Sequence, residues 1–235
     1  MTARQWSRHS GLDTVSRPLL VAGPGDHQVP AHRVLATSFF LGAVPFSGAA
    51  AWALAGVDLR KTGSGTVSGS GLYEAAGFGP LAVAGSFDVA KGAVGPLLAG
   101  KDRPFLAVAS AGLSLVGHNW SPFLGGAGGR GISPALGATL VLAPEATVLL
   151  GLGLGVGRLV HQSGLGTFIA LASMIPVLTR RRGWRGAALA SAIAVPMLAK
   201  RVVGNRPPGS GASGGVLVSR LLFDRDEWPR SDCLM

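Results

Sequence analysis

Residues 34–57 read VLATSFFLGAVPFSGAAAWALAGV, a run of 24 positions without one charged side chain. At 1.5 Å per helical residue, such a run is long enough to cross a hydrocarbon core of roughly 30 Å. Working outward from it, the same composition recurs. Residues 72–99 are apolar apart from Glu74, Asp88 and Lys91; residues 104–129 carry no acid, Lys or Arg. Further apolar runs follow at 132–157, 159–179 and 184–199. Charged residues are 14% of the chain against 48% hydrophobic, and the mean hydropathy is +0.41. A soluble domain carries about 25% charge. The pattern predicts an all-α fold, a polytopic transmembrane helix bundle of about five to seven spans joined by Gly-rich loops that hold the site. The 37 glycines then serve close helix packing and close approach of backbone to a ligand.

Charge is arranged accordingly. The net charge is +10, but the 21 Lys and Arg residues sit in clusters between apolar runs rather than in one patch. This is the arrangement of membrane-flanking loops, with attraction for anionic lipid or phosphorylated substrates. Nucleic acid is excluded as a partner because no basic-aromatic platform is visible. Clusters at Arg180-Arg181-Arg182 and Lys200-Arg201 bracket the last span, so both cannot face the cytoplasm if it crosses. A single cysteine, Cys233, excludes an internal disulfide and reads as a free thiol. Residues 1–33 are polar and interrupted by Pro18, Pro24 and Pro30, which predicts a mobile tail. Residues 34–203 form the membrane-embedded unit, and 204–235 read as a second polar tail.

Within the membrane unit, residues 72–99 are expected to form two short helices meeting near Gly85-Ser86. From Gly117 the chain is expected to leave its helix for a loop. The Gly151 to Gly157 ladder reads as a helix-packing surface rather than a dinucleotide fingerprint, since its glycines are spaced by two with no strand before them.

Three segments carry candidate chemistry. In Asp58-Leu59-Arg60-Lys61-Thr62-Gly63-Ser64-Gly65, two cations precede a Gly-Ser-Gly turn, which suits a phosphate: backbone N–H groups form a nest, a hydroxyl donates and a cation balances charge. The bland reading is a basic loop that only sets topology. In Asp88-Val89-Ala90-Lys91-Gly92, a spacing of three puts both charges on one helix face, either as a structural ion pair or with Lys91 on a phosphate and Asp88 orienting it. The third runs from Gly117-His118-Asn119 to Gly128-Gly129-Arg130-Gly131. An Arg and unpaired N–H groups at the start of a helix favour an anion, and His118 has the intrinsic pKa to donate or accept a proton.

Taken in order, Gly42-Ala43-Val44-Pro45-Phe46-Ser47, the Asp58–Gly65 loop, Asp88-x-x-Lys91-Gly92, and Gly117-His118 through Gly128-Gly129-Arg130-Gly131 resemble the bacterial membrane acyltransferases that move an acyl group from acyl phosphate to glycerol 3-phosphate. The resemblance covers residues 34–180. It implies a multi-pass enzyme of the bacterial cytoplasmic (inner) membrane that makes lysophosphatidic acid for phospholipid synthesis. Its substrates are acyl phosphate and glycerol 3-phosphate, with membrane lipid around it; it implies no cofactor or metal and names no protein partner. It assigns Arg60, Gly63, Ser64, Gly65, Lys91, Gly128, Gly129 and Arg130 to phosphate, His118 and Ser64 to catalysis, and Ser47, Asp58 and Asp88 to support. The chain departs from the family where Glu74 replaces an Arg, Ala127 a Lys and Val203 an Asn. Those departures motivate the competing classes: a catalytically silent relative that binds lipid phosphate or a membrane partner, and a small anion transporter.

Overall fold

Glycine and proline set the ends of the helices. The computed structural model describes residues 28–206 and 214–225. Helix α1 (Ala31–Ala43) stops where Pro45 removes a backbone donor, and α2 (Phe46–Ala55) resumes beyond it. After a loop come α3 (Gly69–Ala76) and α4 (Phe78–Ala99), then α5 (Pro104–Asn119), α6 (Ile132–Leu142), α7 (Pro144–Leu159), α8 (Ser163–Val203) and α9 (Gly214–Phe223). The fold is all-helical among the described residues, and three stretches are individually long and apolar enough to cross a membrane: Ala31–Ala55, Phe78–Ala99 and Ser163–Val203.

Helix α8 is a hairpin. Gly183 has φ 61° and ψ −149°, a conformation that reverses the chain and that only glycine adopts readily. Its arms return side by side, so that Arg201 Nη1 donates to Gly164 O at 2.9 Å. The chain thus passes between two ends of the bundle in α1, α4, α5, α6, α7 and both arms of α8. This sends Arg180-Arg181-Arg182 and Lys200-Arg201 to opposite ends, as crossing requires.

At the far end, Arg103 donates to Ala99 O, Leu98 O and Val29 O at 2.9, 3.0 and 2.6 Å, and Arg182 pairs with Glu145 at 2.6 Å. The other end carries the loops around Gly65 and Gly128. The main core lies between α5, α6, α7 and α8, around Leu115, Leu150, Leu171, Met174, Leu178, Ile193 and Met197.

Glycines bring backbones into contact at the crossings. A Cβ on Gly92 would meet Pro134 O, and one on Gly137 would meet Val89 O, at the α4–α6 crossing. Gly42 against Ser114 O and Gly117 against Phe39 O do the same for α1 and α5. The outer surface is apolar: Trp52, Phe78, Leu140, Leu152 and Val195 are 59–72% exposed, a belt that lipid and not water would cover.

Three elements differ from the sequence expectation. The break in residues 72–99 falls at Gly77, whose φ of 82° ends α3, and α4 then runs unbroken through Gly85-Ser86. Helix α5 continues through Gly117 and His118 to Asn119, because packing on α1 overrides the low propensity of Gly117. The C-terminal stretch holds α9, packed on α8, where a tail was expected. Of the expected N-terminal tail, residues 1–27 lie outside the described residues, as does Cys233, and α1 begins at Ala31.

Candidate active site

Asp88 is carried midway along α4 and is buried, where an unpaired carboxylate is costly. Three donors surround it. Ser47 Oγ and N donate to Oδ2 at 2.5 and 3.2 Å, and Lys91 Nζ lies 2.7 Å from Oδ1. Lys91 also donates to Val44 O at 2.7 Å, a carbonyl at the end of α1 that Phe46 N bonds as well, and its side chain is 1% exposed. The Lys91 ammonium is therefore turned into the protein, on Asp88 and the end of α1.

The turn at 117–131 folds onto this pair. Gly129 N donates to His118 O at 3.1 Å, and Ser121 Oγ donates to Ala43 O at 2.6 Å. A Cβ on Gly128 would strike His118 O and Asn119 O; one on Gly129 would strike the His118 ring. Glycine is needed here for room. Ser47, Asp88, His118, Gly128 and Gly129 line one pocket of about 10 Å³, the space of a single water.

The loop at 58–67 forms the next layer. Asp58 holds Arg60 through two hydrogen bonds of 2.9 and 2.8 Å, and the guanidinium keeps the carboxyl below its ordinary value. Gly63 and Gly65 have φ of 45° and 72°, left-handed conformations that glycine adopts without strain, and Gly65 N closes the turn by donating to Thr62 O at 2.8 Å. Ser64 Oγ lies 2.9 Å from Thr66 Oγ1. Arg60 and Asp58 border a groove of about 290 Å³ whose other walls include Pro45, Gly48, Trp52 and Leu124. Pro45, Val67 and Leu124 line both cavities, so groove and pocket share a wall.

Asn205 joins the two loops. Its Nδ2 donates to Gly65 O at 3.0 Å and to Gly128 O at 2.8 Å, and its Oδ1 accepts from Gly128 N at 3.2 Å. Val67 N adds a 3.1 Å bond to Gly128 O. Arg206 follows, with Nε beside Gly65. Neither residue was singled out from sequence. Asn205 falls two places after Val203, in the stretch whose Pro, Gly and Ser content reads as a tail; the isolated Asn-Arg beyond the Gly204 helix stop was the available signal.

The structure thus brings together Ser47, Asp88, His118, Gly128 and Gly129 in the pocket, and Asp58, Arg60, Gly63, Ser64 and Gly65 beside it. Arg130 is set apart: its guanidinium is 8% exposed, lies 2.8 Å from Asp224 and donates to Lys200 O at 2.8 Å. Lys200 is buried; its ammonium stands over the Trp120 ring at 5.2 Å and donates to Gly126 O at 3.3 Å. Glu74 is exposed on α3 and lines neither cavity.

Residues 33–204 match the family model for glycerol-3-phosphate acyltransferase. Glycerol-3-phosphate acyltransferase 1 of Deinococcus radiodurans is 38% identical over 115 residues, 47% of this chain and 56% of that protein. The glycerol-3-phosphate acyltransferase of Synechococcus sp. (strain CC9902) is 33% identical over 168 residues, covering 70% of this chain and 84% of that protein. The alignments thus range from little more than half of a relative's length to most of it. Among solved structures, PlsY (YgiH), an integral membrane glycerol 3-phosphate acyltransferase in its glycerol 3-phosphate form, superposes with a TM-score of 0.65 at 25% identity, covering 73% of this chain and 88% of that one.

Proposed function

This chain belongs to the glycerol-3-phosphate acyltransferase family, and from that premise we propose that it transfers an acyl group from acyl phosphate to the hydroxyl of glycerol 3-phosphate, releasing lysophosphatidic acid and inorganic phosphate. The observation that carries this reading is the Asn205 clasp, which ties the Gly63–Gly65 turn to the Gly128–Gly129 turn that lines the pocket. Relatives and a solved neighbour with the same named activity support the substrate class.

The geometry supports a division of labour. The acyl chain takes the apolar groove between Pro45, Gly48, Trp52 and Leu124, with Arg60 at its border for a phosphate. The N–H groups of Gly63 and Ser64 and the Ser64 hydroxyl complete the anion seat, while the Gly128–Gly129 turn, whose N–H groups bond Asn205 and His118, shapes the pocket beside it. The glycerol hydroxyl oxygen bonds to the acyl carbon, the carbon–oxygen bond to phosphate breaks, and the hydroxyl proton ends on the departing phosphate or on the His118 ring. Acyl phosphate is already activated, so orientation and charge stabilisation carry the rate. Ser47 and Asp88 hold the pocket wall, and Lys91 holds Asp88.

The site end faces the cytoplasm of a bacterial inner membrane in this reading, since both substrates are anionic and the bilayer is a barrier to them. The deciding experiment is detergent-purified protein incubated with acyl phosphate and glycerol 3-phosphate and followed for lysophosphatidic acid. Binding of glycerol 3-phosphate without product would support the silent-relative class instead. Flux of phosphate into liposomes without product would support a transporter.

A further inference from the structure

Helix α9 lies beyond the family-matched residues 33–204, yet it grips both sides of the Asn205 clasp. Arg201 Nη1 donates to Leu221 O at 3.0 Å and so ties α9 to the end of α8. From α9, Arg220 donates to Val202 O and Val203 O at 3.3 Å and to Arg206 O at 3.0 Å, bracketing Asn205. One turn on, Asp224 closes the helix: its N–H bonds Arg220 O at 3.1 Å and its φ is 55°, the left-handed region that ends helices. That conformation presents the carboxylate to Arg130. Oδ1 lies 2.8 Å from Nε. Arg130 follows the Gly128-Gly129 pair that Asn205 clasps, and its other arm holds Lys200 O on α8.

We propose that Asp224 is a positioning residue for acyl transfer: by neutralising and orienting the buried Arg130, it keeps the Gly128–Gly131 turn in register with Asn205 and the Gly63–Gly65 turn. It acts through Arg130 and does not touch substrate. The proposal rests on the acyl-transfer reading for its catalytic consequence, but its structural consequence is measured independently. A buried guanidinium that loses its carboxylate keeps the cost of its own desolvation, and the turn that carries it relaxes to find water or another partner.

The test uses the full chain in detergent with Asp224→Asn, Asp224→Glu and the double change Arg130→Met with Asp224→Leu. In Asp224→Asn, amide exchange of the 126–131 segment rises about ten-fold, while α1 and α4 exchange as in the native protein. The KM for glycerol 3-phosphate rises about ten-fold, with a much smaller change in kcat. Asp224→Glu restores both. The double variant regains native melting, since no charge is left orphaned, but not the native KM. Native exchange and KM in Asp224→Asn would overturn the proposal; so would a double variant in which melting and KM recover together, which is the signature of a purely structural pair. If the native chain makes no lysophosphatidic acid, the acyl-transfer reading fails and exchange of the 126–131 segment alone decides whether Asp224 positions the turn.

Discussion

Asp88 and Lys91 illustrate how a buried pair is judged by what is left after one member is removed. Lys91→Met deletes the ammonium 2.7 Å from Asp88 Oδ1 and its hydrogen bond to Val44 O. Leaving a buried carboxylate without its cation costs about 3–5 kcal/mol, so this variant should melt far below the native protein. Adding Asp88→Asn removes the orphan, and an amide oxygen still accepts from Ser47 Oγ. The double variant should recover most of the lost melting temperature; a double variant no more stable than Lys91→Met would show that the pair is not what holds α4 to α1. Asn205 behaves differently, since it is neutral and partly open. Asn205→Ala removes three hydrogen bonds between loops, each worth about 1 kcal/mol net. We expect a modest drop in melting and a fall of at least about ten-fold in kcat/KM for glycerol 3-phosphate, because the loops lose register. Native kinetics in Asn205→Ala would refute the clasp as the feature that assembles the site. Ser47, Asp88, His118 and the glycine turns were legible in sequence because each stands in a short ordered motif. Asn205 was not, because its role comes from where α8 ends in space. The same holds for Arg130: the sequence shows a cation after two glycines, and only tertiary contact shows that Asp224 and a carbonyl already occupy it.

Among the elements, α7 gives the clearest division between packing glycines and incidental ones. In its ladder, a Cβ on Gly153 would meet Gly166 O and one on Gly157 would meet the Gln162–Gly166 turn, whereas Gly151 and Gly155 have nothing within 4 Å. The spacing of four between Gly153 and Gly157 puts both on the face that meets α8, which is the small-residue packing expected where lipid supplies no hydrophobic drive. Gly155→Ala should stabilise the protein by about 0.5–1 kcal/mol, since alanine loses less backbone entropy in a helix. Gly153→Ala should destabilise it, because its methyl group meets backbone that cannot swing aside. Thermal melting of the two variants in one detergent checks this, and equal shifts would sink the assignment of faces. The helix-packing role of the ladder was readable from sequence; which glycines bear it was not, since period alone cannot say where a neighbour lies. Residues 72–99 failed in a related way. Gly77 and Gly85 look alike in sequence, and only Gly77 takes the positive φ that breaks the chain.

For the whole molecule, the apolar runs were enough to give a helical bundle with five to seven passes, and the two basic clusters left its orientation open. Both ends are cationic: Arg60, Lys61, Arg158 and Arg206 lie at the site end, and Lys101, Arg103, Arg181 and Arg182 at the other. The bias that orients many membrane proteins is therefore weak here, and arrangement has to come from the hairpin at Gly183 and the clasp at Asn205. These make a sharp statement about sides. Lys61 and Phe123 are exposed on the loops that Asn205 joins, while Lys101 and Arg181 are exposed at the end held by Arg103 and Arg182. With Cys233→Ser as background, single cysteines at positions 61 and 123 should react with an impermeant maleimide from one side of the membrane, and those at 101 and 181 only from the other. In right-side-out cells the 101 and 181 cysteines should label, and in inverted vesicles the 61 and 123 cysteines. Labelling of 61 and 123 from opposite sides would break the shared site, because loops separated by a bilayer core of roughly 30 Å cannot be joined by one asparagine. Labelling of both from the outside would leave the bundle intact and overturn the cytoplasmic orientation, and acyl phosphate made in the cell would then have no direct path to Arg60.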